Sequence, residues 1–131
     1  MNICDDIAIK SKGLADHIVM NFPMPSVVIG FESKELCDKL APLSSAVFAA
    51  NGVKVYQFND TVSKDDVLNK TKEEDACAGV YVTVNNDTLS YAVYDVNGND
   101  FPDEIVNPGS VDEVRIGDYK AGIAAGCISL L

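Results

Sequence analysis

Three short stretches bring chemistry-bearing side chains together: Phe31-Glu-Ser-Lys34, Phe58-Asn-Asp-Thr61 and Asn85-Asn-Asp-Thr88, with Ser90 just beyond the last. Each follows an apolar run bounded by Gly, Pro or Asn, so each falls at the end of a strand. In an open parallel sheet that is where ligands bind. The known uses of such loops can be tested one by one. A phosphate cradle needs several glycines at a helix start, and neither GxxxxGK[ST] nor GxGxxG occurs. An acid pair after the first strand with a third acid later would suit a phosphoacceptor aspartate, but Glu32 and Asp87 stand alone. A serine nucleophile needs a base within reach, and the single histidine, His17, belongs to the first helix. His17 therefore reads as a surface or packing residue. Cys4, Cys37, Cys77 and Cys127 form no C-x-x-C pair, so a zinc knuckle is not expected and the thiols should be free. For backbone reasons alone, Asn85-Asn-Asp-Thr88 is also a good hairpin turn, and Glu32-Ser33-Lys34 a helix cap beside a solvated ion pair.

The elements that must position these loops follow from periodicity. Asp5 to Asn21 predicts a helix with Ile7, Leu14 and Ile18 on one stripe, ended by Phe22-Pro-Met-Pro25. Ser26 to Gly30 is a strand covered on both faces. A second helix runs from the Ser33 cap to about Asn51, and Pro42 should kink it. Val53 to Phe58 is the second strand and Lys64 to about Glu74 a charged third helix. Ala78 to Val84 and Leu89 to Val96 are strands joined by a hairpin-length turn. This order predicts an α/β fold: a three-layer α/β/α sandwich on a mixed four-stranded sheet, three strands parallel and one antiparallel at the edge. Residues 1–131 form one domain. Within 110–131 the signal weakens: Ser110-Val-Asp-Glu113 can open a helix, and Gly117 to Leu131 reads either as a helix on the sheet or as a segment that docks elsewhere.

Twenty acidic and ten basic residues give a net charge of −10. That argues against nucleic acid and membrane surfaces as partners. The first residues carry two acids where a secretion signal carries basic ones, so a cytoplasmic location is expected.

Read from Phe22 to about Asp100, the chain resembles the first domain of the alpha-D-phosphohexomutases, the phosphoglucomutase and phosphomannomutase family. "VVIGFESKEL" resembles the family's first strand and its Asp-Ser-Arg turn, and "FAANGVKVYQF" its helix end and second strand. "ACAGVYVTVNND" falls where members carry Ala-Gly-Ile-Met-Ile-Thr-Ala-Ser-His-Asn-Pro, and "YAVYDVNGNDF" matches the fourth strand and turn. The resemblance implies enzymes that move phosphate between the 1- and 6-positions of a hexose. A phosphoserine in the third-strand loop carries the group, and Mg²⁺ bound by a second domain assists. On this register Asn85 occupies the phosphoserine position, Asn86 the histidine and Asp87 the asparagine, while Thr83 is retained and Lys34 replaces the arginine. An amide holds no transferable phosphoryl group as a serine oxygen does.

The expectation is a stand-alone, catalytically silent domain: no catalytic residue, no metal or cofactor of its own, and a residual ligand surface at Asn85, Asn86, Asp87, Thr88 and Lys34. Its partners would be the missing mutase domains, or a second copy docked through 116–131. Two alternatives stay open. One is a share in an active mutase assembled with other domains; the other is an unrelated small-ligand-binding α/β domain.

Overall fold

The computed structural model describes residues 3–32, 37–86, 88–106 and 128–131. Helix α1 spans Ile3–Asn21, strand β1 Ser26–Phe31, α2 Cys37–Ala50, β2 Lys54–Gln57, α3 Lys64–Glu73, β3 Ala78–Asn85, β4 Thr88–Tyr94, α4 Asp103–Val106 and β5 Ile128–Leu130. The sheet order is β4-β3-β1-β2-β5. β1 pairs in parallel with β2 and β3, β2 with β5, and β4 runs antiparallel to β3. The three-layer α/β/α architecture is thus present.

The buried stripe of α1, Ile7, Ala8, Ser11, Leu14, Ala15 and Ile18, recurs every three to four residues, as a helix with one buried face must. It joins α2 residues Leu40, Ala41 and Phe48 over Val27, Ile29, Val80, Val82, Tyr91 and Val93 of the sheet. The other sheet face is covered by α3, which buries only Val67 and Thr71. Ser63 caps α3: its side chain accepts from the Asp66 N–H, and the Asp66 carboxylate accepts from the Ser63 N–H. Two glycines let this helix lie close. A Cβ on Gly30 would come 2.5 Å from Val67 Cγ2, and one on Gly79 2.5 Å from Thr71 Oγ1.

Three expectations are corrected. The sheet has five strands rather than four, because Ile128–Leu130 pairs along the open edge of β2. The reading of Gly117 to Leu131 as a helix therefore fails at its last residues, while residues 107–127, including the proposed capping box at 110–113, lie outside the described ones. Pro42 lies inside α2 and is exposed. The third/fourth-strand turn is shorter than expected: pairing continues to Asn85 opposite Thr88, leaving only residues 86 and 87 between the strands.

Candidate functional site

Asn85 is the last residue of β3 and Thr88 the first of β4, directly opposite each other; one step down, Thr83 faces Ser90. Side chains alternate along a strand. Tyr81 packs on the α3 side with Val28, Val67 and Phe58, so Thr83 and Asn85 share that face, and Ser90 and Thr88 join it across the ladder. Asn85, Asn86, Thr88 and Ser90 are exposed and Thr83 half-buried. The hairpin thus carries hydroxyls and amides on one face, beyond the reach of α3. Asn86 holds the turn at φ 51°, a left-handed conformation that asparagine tolerates better than most residues.

The strand-one loop lies beside this hairpin. Phe31 pairs with Val82, and the exposed Glu32 donates its backbone N–H to the Val82 carbonyl at 3.1 Å. The structure therefore brings Glu32 level with Thr83, near the hairpin crest. Lys34, Ser33 and Asp87 lie outside the described residues.

His17 is not part of this constellation. It sits on the last turns of α1, near the amino ends of the strands, with its ring edge-on to Phe101 at 6.1 Å between centroids. Cys4 is exposed, Cys37 buried and Cys77 half-buried, all free thiols, and Cys127 lies outside the described residues. Among the described residues no group of three or more His, Cys, Asp or Glu could hold a metal ion.

One residue of this region escaped the sequence reading. Tyr81 lies beneath Thr83 and Asn85 on the same face, and its hydroxyl donates to the Val62 carbonyl at 2.8 Å. It fastens the loop between β2 and α3 to the base of the hairpin. Burial, reinforced by the Glu32 carboxylate, pushes its pKa above the usual tyrosine value, so the phenol stays a donor. The alternation in Ala78–Asn85 already places Tyr81, Thr83 and Asn85 on one face; that was the available signal.

Chemically, the crest is a hydrogen-bonding surface. It offers amide and hydroxyl groups to a polar ligand, while the chain's one imidazole stands at the far end of the sheet.

A doubly wound α/β/α domain with its polar loops gathered at the carboxyl ends of β1 and β3 is a class of fold that places ligand sites at those strand ends. Residues 7–106 match the family model for phosphoglucomutase/phosphomannomutase, alpha/beta/alpha domain I. The chain belongs to this family, as its domain I. A "Probable phosphoribomutase" of Schizosaccharomyces pombe is 29% identical over 96 residues, which cover 71% of this chain and 16% of that protein. The fold also matches the crystal structure of a "putative phosphomannomutase" from Thermus thermophilus, with a TM-score of 0.71 at 16% identity, over 95% of this chain and 28% of that one. The chain thus spans about a sixth of the first relative's length and just over a quarter of the second's. No helix among the described residues is long and apolar enough to cross a membrane.

Proposed function

We propose that this domain serves sugar-phosphate metabolism as a structural and interaction module and carries no phosphoryl group itself. The observation behind this reading is Asn85. It ends β3 on the exposed face of the hairpin, at the position where the family resemblance puts the phosphoserine, and it presents an amide. Thr88 and Ser90 supply hydroxyls on the same face, but an alcohol needs a base to become a nucleophile; His17 lies at the other end of the strands, and the carboxylate near the crest, Glu32, is exposed to solvent. Asn85, Asn86, Asp87, Thr88 and Lys34 would then form a polar ligand surface rather than a transfer site. Incubation with glucose 1,6-bisphosphate followed by intact-protein and peptide mass spectrometry tests this. The expected outcome is no phosphoryl adduct; phosphate on Thr88 or Ser90 overturns the reading.

A second reading has one supporting observation. The chain spans only 16% of the phosphoribomutase relative's length, so it can be one part of an active mutase whose remaining domains complete the site. Assays of the chain mixed with separately expressed later domains of such a mutase, on hexose and pentose 1-phosphates, separate the two. Turnover that requires this chain favours the second reading.

A further inference from the structure

At the opposite end of the strands from the hairpin, the chain forms a cavity of about 350 Å³. Its walls come from the segment before β1, the segment before β3 and the residues after β4, including Phe22, Met24, Cys77 and Phe101. That size lies at the lower end of the range for small-ligand pockets, about 300–1,000 Å³. Apolar surface continues beyond it: within six residues of chain, Val19 is 44% exposed, Met20 83%, Phe22 38% and Met24 82%. Methionines displayed in this way make an adaptable docking surface, and such a spread exceeds what one small molecule would cover.

Charge identifies the occupant. Asp75 and Asp95 line the cavity, and among the described residues no lysine or arginine does. A second copy of the chain would bring a like charge of −10 to this rim, which opposes self-docking. We propose that this cavity is a docking site for a segment of a partner protein that inserts a large apolar side chain between Phe22, Met24 and Phe101 and sets a neighbouring lysine or arginine against Asp75 and Asp95. The assignment is independent of the hairpin reading, since it uses neither Asn85 nor any residue near it.

The test is selection of random linear heptapeptides on phage against the immobilised full chain, followed by fluorescence anisotropy with the enriched peptides. The expected sequences pair Phe, Leu or Met with an adjacent Lys or Arg. Their affinity should fall about three- to tenfold in the D75N/D95N variant, which removes two exposed or half-exposed charges, and about tenfold or more in F22S/M24S. Asparagine keeps the left-handed backbone of residue 75, whose φ is 51°, and keeps the Oδ1 at residue 95 that accepts the Asn97 and Asn99 N–H groups. The charge variant therefore folds even if the apolar one does not. Bound peptide should also slow maleimide labelling of Cys77 and leave that of the exposed Cys4 unchanged. Absence of enrichment, enriched peptides lacking basic residues, equal affinity for D75N/D95N, or a dimer in sedimentation that F22S/M24S abolishes would each overturn the proposal.

Discussion

The Tyr91 hydroxyl lies 2.8 Å from Ser44 Oγ, buried between the sheet and α2. Ser11 Oγ of α1 completes the cluster, 3.1 Å from the phenol and 2.6 Å from Ser44, while donating to the Ile7 carbonyl. Three elements distant in sequence are thus joined by hydroxyls inside an otherwise apolar layer. Tyr91→Phe should cost about 1 kcal/mol, the usual net worth of a hydrogen bond, because the two serines keep each other as partners. Urea denaturation of the two proteins measures the difference.

The same phenol gives a pH signature. Burial raises the Tyr91 pKa to about 12, against lesser opposing effects of its hydrogen bonds to Ser11 and Ser44. The neutral form is favoured in the native state, so above the ordinary tyrosine value the unfolded chain releases a proton that the folded chain retains. Tyr91's contribution is complete below about pH 10 and is lost as the pH rises toward 12, with a slope of up to about 1.4 kcal/mol per pH unit. Tyr81 acts in the same direction. Stability curves between pH 9 and 12 should therefore fall less steeply for Tyr91→Phe than for the parent, without becoming flat; identical slopes would show that Tyr91 ionises as readily when folded.

Gly30 and Gly79 set the distance between α3 and the sheet. An alanine at Gly30 meets Val67 Cγ2 at 2.5 Å and Val62 Cγ2 at 2.7 Å, and both neighbours are β-branched side chains with little rotamer freedom. Gly30→Ala should cost about 1–3 kcal/mol as overpacking. Adding Val67→Ala makes room, so the double variant should lose less than the sum of the single changes. Strict additivity in a double-mutant cycle would count against direct contact.

Much of this arrangement was legible because it is written locally. The apolar run Ser26–Gly30 after Pro25 reads as a doubly covered strand, one residue short of the observed Ser26–Phe31, and Ile7, Leu14 and Ile18 on one stripe read as a one-sided helix. The family resemblance located Asn85, and strand alternation alone groups it with Thr83. What stayed hidden depends on partners distant in sequence. Ile128-Ser-Leu130 is too short and its surroundings too rich in Ala and Gly to announce a strand; it becomes one because β2 offers a free edge, and the Leu131 N–H reaches the Gln57 carbonyl at 2.8 Å. The Ser11–Ser44–Tyr91 cluster was equally invisible, since three hydroxyl residues far apart in sequence look like solvent-facing side chains until the fold brings them together. At Pro42 the helical assignment of α2 continues, with the proline exposed and Leu40, Ala41 and Phe48 in the core.

The hairpin turn makes its own demand. Asn86 sits at φ 51°, where an ordinary L-residue costs about 1–2 kcal/mol. Asn86→Ala should destabilise the chain by about 1 kcal/mol, while Asn86→Gly should stay within a few tenths because glycine enters that region without strain. Thermal melts of the pair decide it; equal losses would mean that the asparagine side chain, rather than the backbone conformation, is what the turn requires.

Ser44 and Ser45 are neighbours on α2, both buried, with opposite prospects. Ser44 bonds Tyr91 and Ser11, whereas Ser45 Oγ meets no hydrogen-bond partner among the described residues. Burying a hydroxyl without a partner costs about 1–3 kcal/mol, so removing it recovers that penalty at the loss of one small atom's packing. Ser45→Ala should leave stability unchanged or raise it by up to about 1 kcal/mol, with alanine's better helix propensity adding a few tenths. Ser44→Ala should lower it by about 1–2 kcal/mol, because the Tyr91 hydroxyl loses its nearer partner in a space closed to water. Chemical denaturation of the two single variants gives the sign directly: a destabilised Ser45→Ala would mean that its hydroxyl has a partner outside the described residues, and a neutral Ser44→Ala would mean that Ser11 alone satisfies the phenol.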